Sequence, residues 1–233
     1  MITVVIPHFY SQRRDNLRRI IYSLDHGSMR IDEVLIWNND PELIHVHGAY
    51  VIQSHRNVGC QARILAALMA RGDRVLFLDN DVAVNHKTIE NLVRWHDELG
   101  GVVTVEGRQA VRGHYSQWPK IYGHGITTPT RLFLSLGRGE MVRRQDLNRV
   151  LHHFPFDPET KMDDLLLSQA YLKSKIPVHV IPCLRGVSDL QDLPMYGVGF
   201  CKEPNFYEQR EKVASTIVVP RDEESLKAQA ESA

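Results

Sequence analysis

Two groups of carboxylates in this chain have the types and spacing for chemistry on a charged substrate. The first is Asp79-Asn80-Asp81, which follows the apolar run 75–78 directly. In extended backbone, residues two apart project to roughly the same side. Both carboxylates can then hold one hard divalent cation, which keeps positions for water and for the oxygens of a diphosphate. The plainer alternative is a polar turn that ends a strand. The second group is Met162-Asp163-Asp164-Leu165, at the start of a run of helix formers. An acid in a first helical turn caps the helix. Two adjacent carboxylates can also repel enough to raise one pKa, which makes a general base. On the residues alone both accounts stay open.

The elements that must position these groups are legible as short apolar runs alternating with helical stripes. Residues 2–7, 33–37, 50–53, 74–79, 101–105, 131–137 and 178–182 read as strands, most of them apolar on both faces, as parallel sheets require. Between them, Leu17, Ile20, Ile21 and Leu24 repeat at helical spacing, with Gly27 to close the turn. Residues 57–71 are rich in helix formers, and Ile89, Leu92, Val93 and Leu99 mark another amphipathic helix. Helices are also expected around Leu147–Phe154 and from Asp163 to before Pro177. Residues 106–130 lack a period and read as a long ordered loop or a small β excursion. The order predicts an α/β fold with helical crossovers. In such folds ligands bind beyond the carboxyl ends of strands, where Asp79–Asp81 falls.

Composition bounds the rest. The chain has 233 residues, 43% hydrophobic, with 28 basic and 28 acidic side chains. That is enough for one domain with its own core, and the zero balance disfavours a dedicated nucleic-acid binder. Cys60, Cys183 and Cys201 are odd in number and far apart, which supports neither a disulfide framework nor a zinc knuckle. No apolar run reaches the ~20 residues that span a bilayer. The start reads as a strand and not as a signal peptide, so a cytoplasmic protein is expected. His45/His47 and His152/His153 are expected at the surface, not as metal pairs.

Taken together, the motifs resemble nucleotide-sugar glycosyltransferases of the GT-A fold, family 2-like. VVIPHFY is similar to that family's opening strand. RNVGCQARILAALMARGDRVLFLDNDV matches its Asn-x-Gly turn, Ala-Arg helix, Gly-Asp turn and strand ending in D-x-D. GRGEMVRR looks like its acceptor-side strand, and MDDLLLSQAYL sits at its acidic pair. The resemblance implies a single domain over 1–220, with a mixed, mostly parallel Rossmann-like sheet flanked by helices. Residues 1–105 would form the nucleotide-binding half, 106–220 the acceptor side and a flap, and 221–233 a polar tail. It implies a nucleotide-sugar donor, a UDP-sugar above others, with Mn²⁺ or Mg²⁺, and a glycan, protein or small-molecule acceptor.

Residue by residue, the resemblance implies that Pro7, His8 and Tyr10 line the nucleoside pocket together with Arg56 and Asn57. Arg63 would hold the pocket or a phosphate. Asp79, Asn80 and Asp81 would face ribose and diphosphate, with Asp81 and Asp79 the metal ligands. Asp164, beside Asp163, looks like the base of inverting members. Two departures stand out. Asn38-Asn39 replaces the usual Asp pair that reads the base, and the Trp37-Asn38-Asn39 run also resembles the retaining exostosin-like enzymes. No histidine follows His179 to act as a third metal ligand.

The stretch with Gly197, Gly199, Phe206, Tyr207 and Arg210 reads as a flap whose arginine closes over the diphosphate, or as an aromatic-stapled surface loop. Tyr115, Trp118 and Tyr122 are suited to stacking on a sugar or to covering the core. Two rival functions remain: a haloacid dehalogenase-like phosphatase with Asp79 as nucleophile, and a non-catalytic binding module on the same fold.

Overall fold

A computed structural model describes residues 1–111, 113–132, 134–135, 137–156, 162–197 and 204–217. The predicted tail at 221–233, Gly199 and Cys201 lie outside them.

The chain opens with β1 (Ile2–His8), α1 (Arg14–Asp25), β2 (Glu33–Asn38) and β3 (Tyr50–Gln53). Then follow α2 (Ala62–Leu68), β4 (Arg74–Phe77), β5 (Val82–Val84), α3 (Thr88–Leu99), β6 (Val102–Thr104) and β7 (Glu106–Arg108). The second half holds β8 (Lys120–Tyr122), β9 (Thr130–Leu132), β10 (Leu134–Ser135), β11 (Glu140–Arg143) and α4 (Arg144–Val150). It ends with α5 (Asp163–Lys173), β12 (Val178–Val180), β13 (Leu190–Asp192) and α6 (Phe206–Ala214).

Eight strands form one sheet in the order β3-β2-β1-β4-β11-β6-β12-β9. Only β11 and β9 run against their neighbours. The sheet is therefore mixed and mostly parallel, flanked by helices, as the GT-A, Rossmann-like fold requires. The apolar runs are buried on both faces because their parity serves two cores. Val4, Ile6, Leu76 and Leu78 pack on the side of α1 and α3. Val5, Val75 and Phe77 pack with residues of α2, α4 and α5 on the other. The α1 stripe predicted from the sequence is the buried one: Leu17, Ile20, Ile21 and Leu24.

Several expected boundaries differ. The 131–137 run is not one strand: β9 joins the main sheet, while β10 pairs with β7 in a small sheet with β8. The irregular 106–130 segment is thus a β excursion. Its Tyr115 and Trp118 are buried in a third cluster with Leu134, Met162 and Leu165, so those rings are core, whereas Tyr122 is exposed. α2 begins at Ala62 and not near Asn57, because Asn57–Gly59 turns first with Gly59 at φ +71°. The segment that leads into the expected flap is tied down, since β13 pairs antiparallel with β5, directly after the D-x-D. No helix among the described residues is long and apolar enough to cross a membrane.

Candidate active site

Chain order reverses around β1: β2 and β3 lie to one side of it and β4 to the other. The crevice at such a switch point is where open α/β sheets bind ligands. β1 delivers His8 there, and β4 delivers Asp79–Asp81. The cleft is lined by Pro7, His8, Tyr10, Asn39, Asn57, Arg63, Asp79, Asn80, Asp81, Asp163, Asp164 and Arg210, together with Phe9, Arg13, Cys60, Met195 and Phe206.

The sequence-chosen residues thus converge, except Asn38 and Arg56. Asn38 is fully buried, with its amide spent on the Glu42 carbonyl (2.9 Å) and Gln53 Oε1 (2.7 Å), and its Oδ1 accepts the Asp40 N–H (3.1 Å). It shapes the turn after β2. Asn39 is the one at the cleft, and its Nδ2 donates to the Gly59 carbonyl (3.0 Å), tying that turn to the loop before α2. Arg56 is exposed outside the cleft. His45, His47, His152 and His153 are exposed as well.

Four aspartates meet three arginines in the cleft. Arg63, from α2, is almost wholly buried and reaches Asp79 Oδ1 (2.7 Å), Asp163 Oδ2 (2.7 Å) and the Gly137 carbonyl (2.6 Å). Burial opposes its charge, but Asp163 and Asp79 outweigh burial and hold its pKa above the usual range. Its fork is committed to these oxygens, so it joins the two acidic motifs and is not poised for a phosphate. Around that one cation, burial and the neighbouring Asp164 and Asp79 push the Asp163 carboxyl up to about 6, against the pull of Arg63.

Asp164 opens α5 beside it. Neither acid is the helix cap: the cap is Met162, which makes no side-chain cap bond. Asp164 Oδ1 accepts the N–H of Leu165 (2.9 Å), and its Oδ2 takes Arg210 Nη2 (2.5 Å). Arg210 comes from α6 and lies against the rings of Tyr115 (4.6 Å) and Phe206 (5.3 Å). Arg210 therefore caps the candidate base in this arrangement and does not lie across Asp81. Tyr207 is exposed.

At the other end, Arg13 Nη1 donates to Asn80 Oδ1 (2.7 Å) and pairs with Asp81 Oδ2 (3.1 Å), its guanidinium 5.4 Å from the Tyr10 ring centre. Sequence reading missed Arg13, although it follows β1 closely; only the topology brings it over the end of β4. Because a guanidinium only donates, Asn80 Oδ1 must be its acceptor, and Asn80 Nδ2 is left to donate to His8 Nδ1 (3.2 Å). His8 then carries its proton on Nε2. Burial lowers its pKa to about 4, so the ring is neutral. Burial, then Asp79, raises the Asp81 carboxyl. Nearby, Arg138 bridges Glu106 (3.1 Å) and Asp192.

The mixed, mostly parallel sheet flanked by helices is that of the GT-A, Rossmann-like fold, and carboxylates line the crevice at its switch point. The chain belongs to glycosyl transferase family 2, whose family model matches residues 3–156, and it is a glycosyltransferase. No curated protein sequence is significantly similar to it. Among solved structures, S. aureus TarS 1-349 in complex with UDP-GlcNAc superposes with a TM-score of 0.68 at 17% identity, over 97% of this chain and 69% of that one. The same protein with UDP gives 0.57 at 21% identity, over 76% and 56%. A further crystal structure of S. aureus TarS 1-349 gives 0.56 at 19%, over 76% and 57%. At such identities the likeness concerns the fold. Family and fold set aside the phosphatase, in which Asp79 would be a nucleophile.

Proposed function

We propose that the chain moves a sugar from a UDP-sugar to an acceptor hydroxyl, with inversion at the anomeric carbon. The observation that carries this reading is the convergence of Asp79, Asp81, Asp163 and Asp164 on one crevice at the ends of β1 and β4. The TarS complexes with UDP and UDP-GlcNAc on the same fold support the choice of donor.

Asp164 is the general base. It takes the acceptor proton as that oxygen attacks the anomeric carbon and the bond to the diphosphate breaks. The Leu165 N–H and Arg210 aim its two oxygens. Asp163, locked to Arg63, positions and does not react. His8 offers a fixed Nε2–H donor at the nucleotide end, and the aromatic residues Phe9 and Tyr10 flank it. The acceptor, a glycan, protein or small molecule, approaches from the side of the β excursion and α6.

Mn²⁺ or Mg²⁺ fits here as a substrate-completed site. Arg63 takes Oδ1 of Asp79 and Arg13 takes Oδ2 of Asp81, which leaves one further oxygen on each for a cation. No cluster of three or more His, Cys, Asp or Glu suited to a metal exists among the described residues. The diphosphate and water must supply the other ligands, as is common for these hard ions. When bound, the ion stabilises charge on the leaving diphosphate.

The test is thermal unfolding with UDP, GDP, CDP and ADP, each with Mn²⁺ and with chelator. UDP with Mn²⁺ should stabilise selectively, by about 2.7 kcal/mol at a hundredfold excess over Kd. Silence from every nucleotide would remove the donor site. Asp164→Asn should then cut kcat by roughly 10²–10⁴ while UDP affinity stays within about twofold.

A further inference from the structure

Arg13 stands where two ligands of the donor site would meet. Its guanidinium is almost buried, lines the cleft, and contacts both the middle and the last residue of the D-x-D. A cation bound at Asp81 and a guanidinium on the same carboxylate repel at a few ångströms, in a crevice too shielded for water to screen them well. Binding the ion therefore works against the Arg13–Asp81 pair. A diphosphate reverses the balance, because it offers the planar guanidinium fork a second anion of matching geometry.

The rest of the neighbourhood allows such an exchange. Asn16, on α1, holds the backbone of the motif independently: its Nδ2 donates to the carbonyls of Asn80 (3.1 Å) and Pro194 (2.9 Å). The Leu193 N–H holds the Asp81 carbonyl (2.7 Å). The loop thus has anchors that do not depend on the Asp81 carboxylate. The other two arginines of the cleft are differently placed. Arg63 is fixed by two carboxylates and a carbonyl, and Arg210 belongs to Asp164.

We propose that Arg13 is an exchange latch: it competes with the divalent cation for Asp81, and the donor's diphosphate relieves that competition by drawing the guanidinium to itself. Cation and nucleotide are thereby made to bind together. The inference rests on the nucleotide-sugar reading of the crevice.

Two titrations test it, one of Mn²⁺ alone followed by electron paramagnetic resonance and one of UDP in chelator followed by calorimetry. In Arg13→Gln, whose amide can still donate to Asn80, Mn²⁺ alone should bind about tenfold tighter and UDP in chelator about tenfold weaker than in wild type. Arg13→Lys keeps the charge and should hold Mn²⁺ affinity near the wild-type value. If Arg13 only braced the loop, its loss would weaken both ligands, and that result overturns the latch. Unchanged Mn²⁺ affinity overturns it too. Arg13→Met, which keeps the apolar stem, carries the same opposite signs should the glutamine variant not fold. If wild type binds no UDP with or without Mn²⁺, the donor-site reading itself fails and takes the latch with it. UDP binding that Arg13 variants leave untouched removes only the latch.

Discussion

At the scale of single residues, His8 shows how a buried polar group ties stability to pH. Its pKa is about 4 in the fold, from burial, against 6.5 when exposed. The folded state therefore binds fewer protons than the unfolded chain between those values, and stability falls as pH drops from 6.5 towards 4, by up to about 3 kcal/mol. Asp163 acts in the opposite sense. Its carboxyl, pushed up to about 6 by burial, favours the fold as pH falls from 6 towards 3.8. The two effects overlap, so the His8 share needs a comparison: in urea unfolding from pH 7 to 4.5, His8→Gln should lose less stability than wild type. Parallel curves would mean the ring takes up its proton without cost. The acidic motifs were legible in the sequence because each interrupts or opens an apolar run. The partners were not. Arg13 sits in a stretch, Ser11-Gln12-Arg13-Arg14, with no apolar residue to set a pattern. Asn38 and Asn39 are alike in sequence, yet only the pleat decides that Asn39 meets the cleft.

At the scale of elements, apolar runs fixed the strands of the sheet well, since burial on both faces leaves an unbroken signal. β5 and β13 were not foreseen, β7 and β8 only as one of two readings of 106–130, and β11 only through the resemblance; β7 and β13 carry no unbroken apolar run. Long-range closure made the difference: β13 is a strand only because β5 offers it an edge. A turn in the same region shows how local backbone sets the site. Gly137 has φ +69°, and its carbonyl accepts Arg63; an added Cβ would lie 2.5 Å from Arg63 Nη1. That guanidinium is pinned by Asp79 and Asp163 and has no room to yield. Gly100, closing α3, has a similar φ of +65° with nothing within 4 Å of an added Cβ, and serves as the control. With ψ −169°, Gly100 lies in a region that is essentially glycine's alone, so Gly100→Ala should cost about 1–3 kcal/mol for backbone strain alone and leave UDP affinity unchanged. Gly137→Ala should cost more and weaken UDP by about fivefold or beyond, because Arg63 drags Asp79 with it. Equal effects from the two substitutions would show that Arg63 can move aside.

At the scale of the whole molecule, the sheet does not divide at residue 105 into the nucleotide half and the acceptor half that the resemblance implies. The sheet interleaves them: β11, from the second half, lies between β4 and β6 and pairs with both. β12 then extends the sheet from β6, and Arg63 of the first half binds Asp163 of the second. Removing either half would expose both faces of buried strands and leave open ladder edges in the middle of the sheet. The two halves should therefore unfold together. The three tryptophans report on different places: Trp37 in β2, Trp95 in α3, and Trp118 in the β excursion. Single-tryptophan proteins, with the other two replaced by phenylalanine, should show the same urea midpoint once normalised to the midpoint each protein gives by circular dichroism. UDP with Mn²⁺ should raise all three midpoints together, since ligand held by both halves stabilises whatever unfolds as one unit. If Trp118 instead reports an earlier transition that UDP does not shift, the excursion is a separate cooperative unit. The acceptor side could then open while the donor stays bound, and Asp164 would be positioned by a layer that folds independently of the nucleotide site.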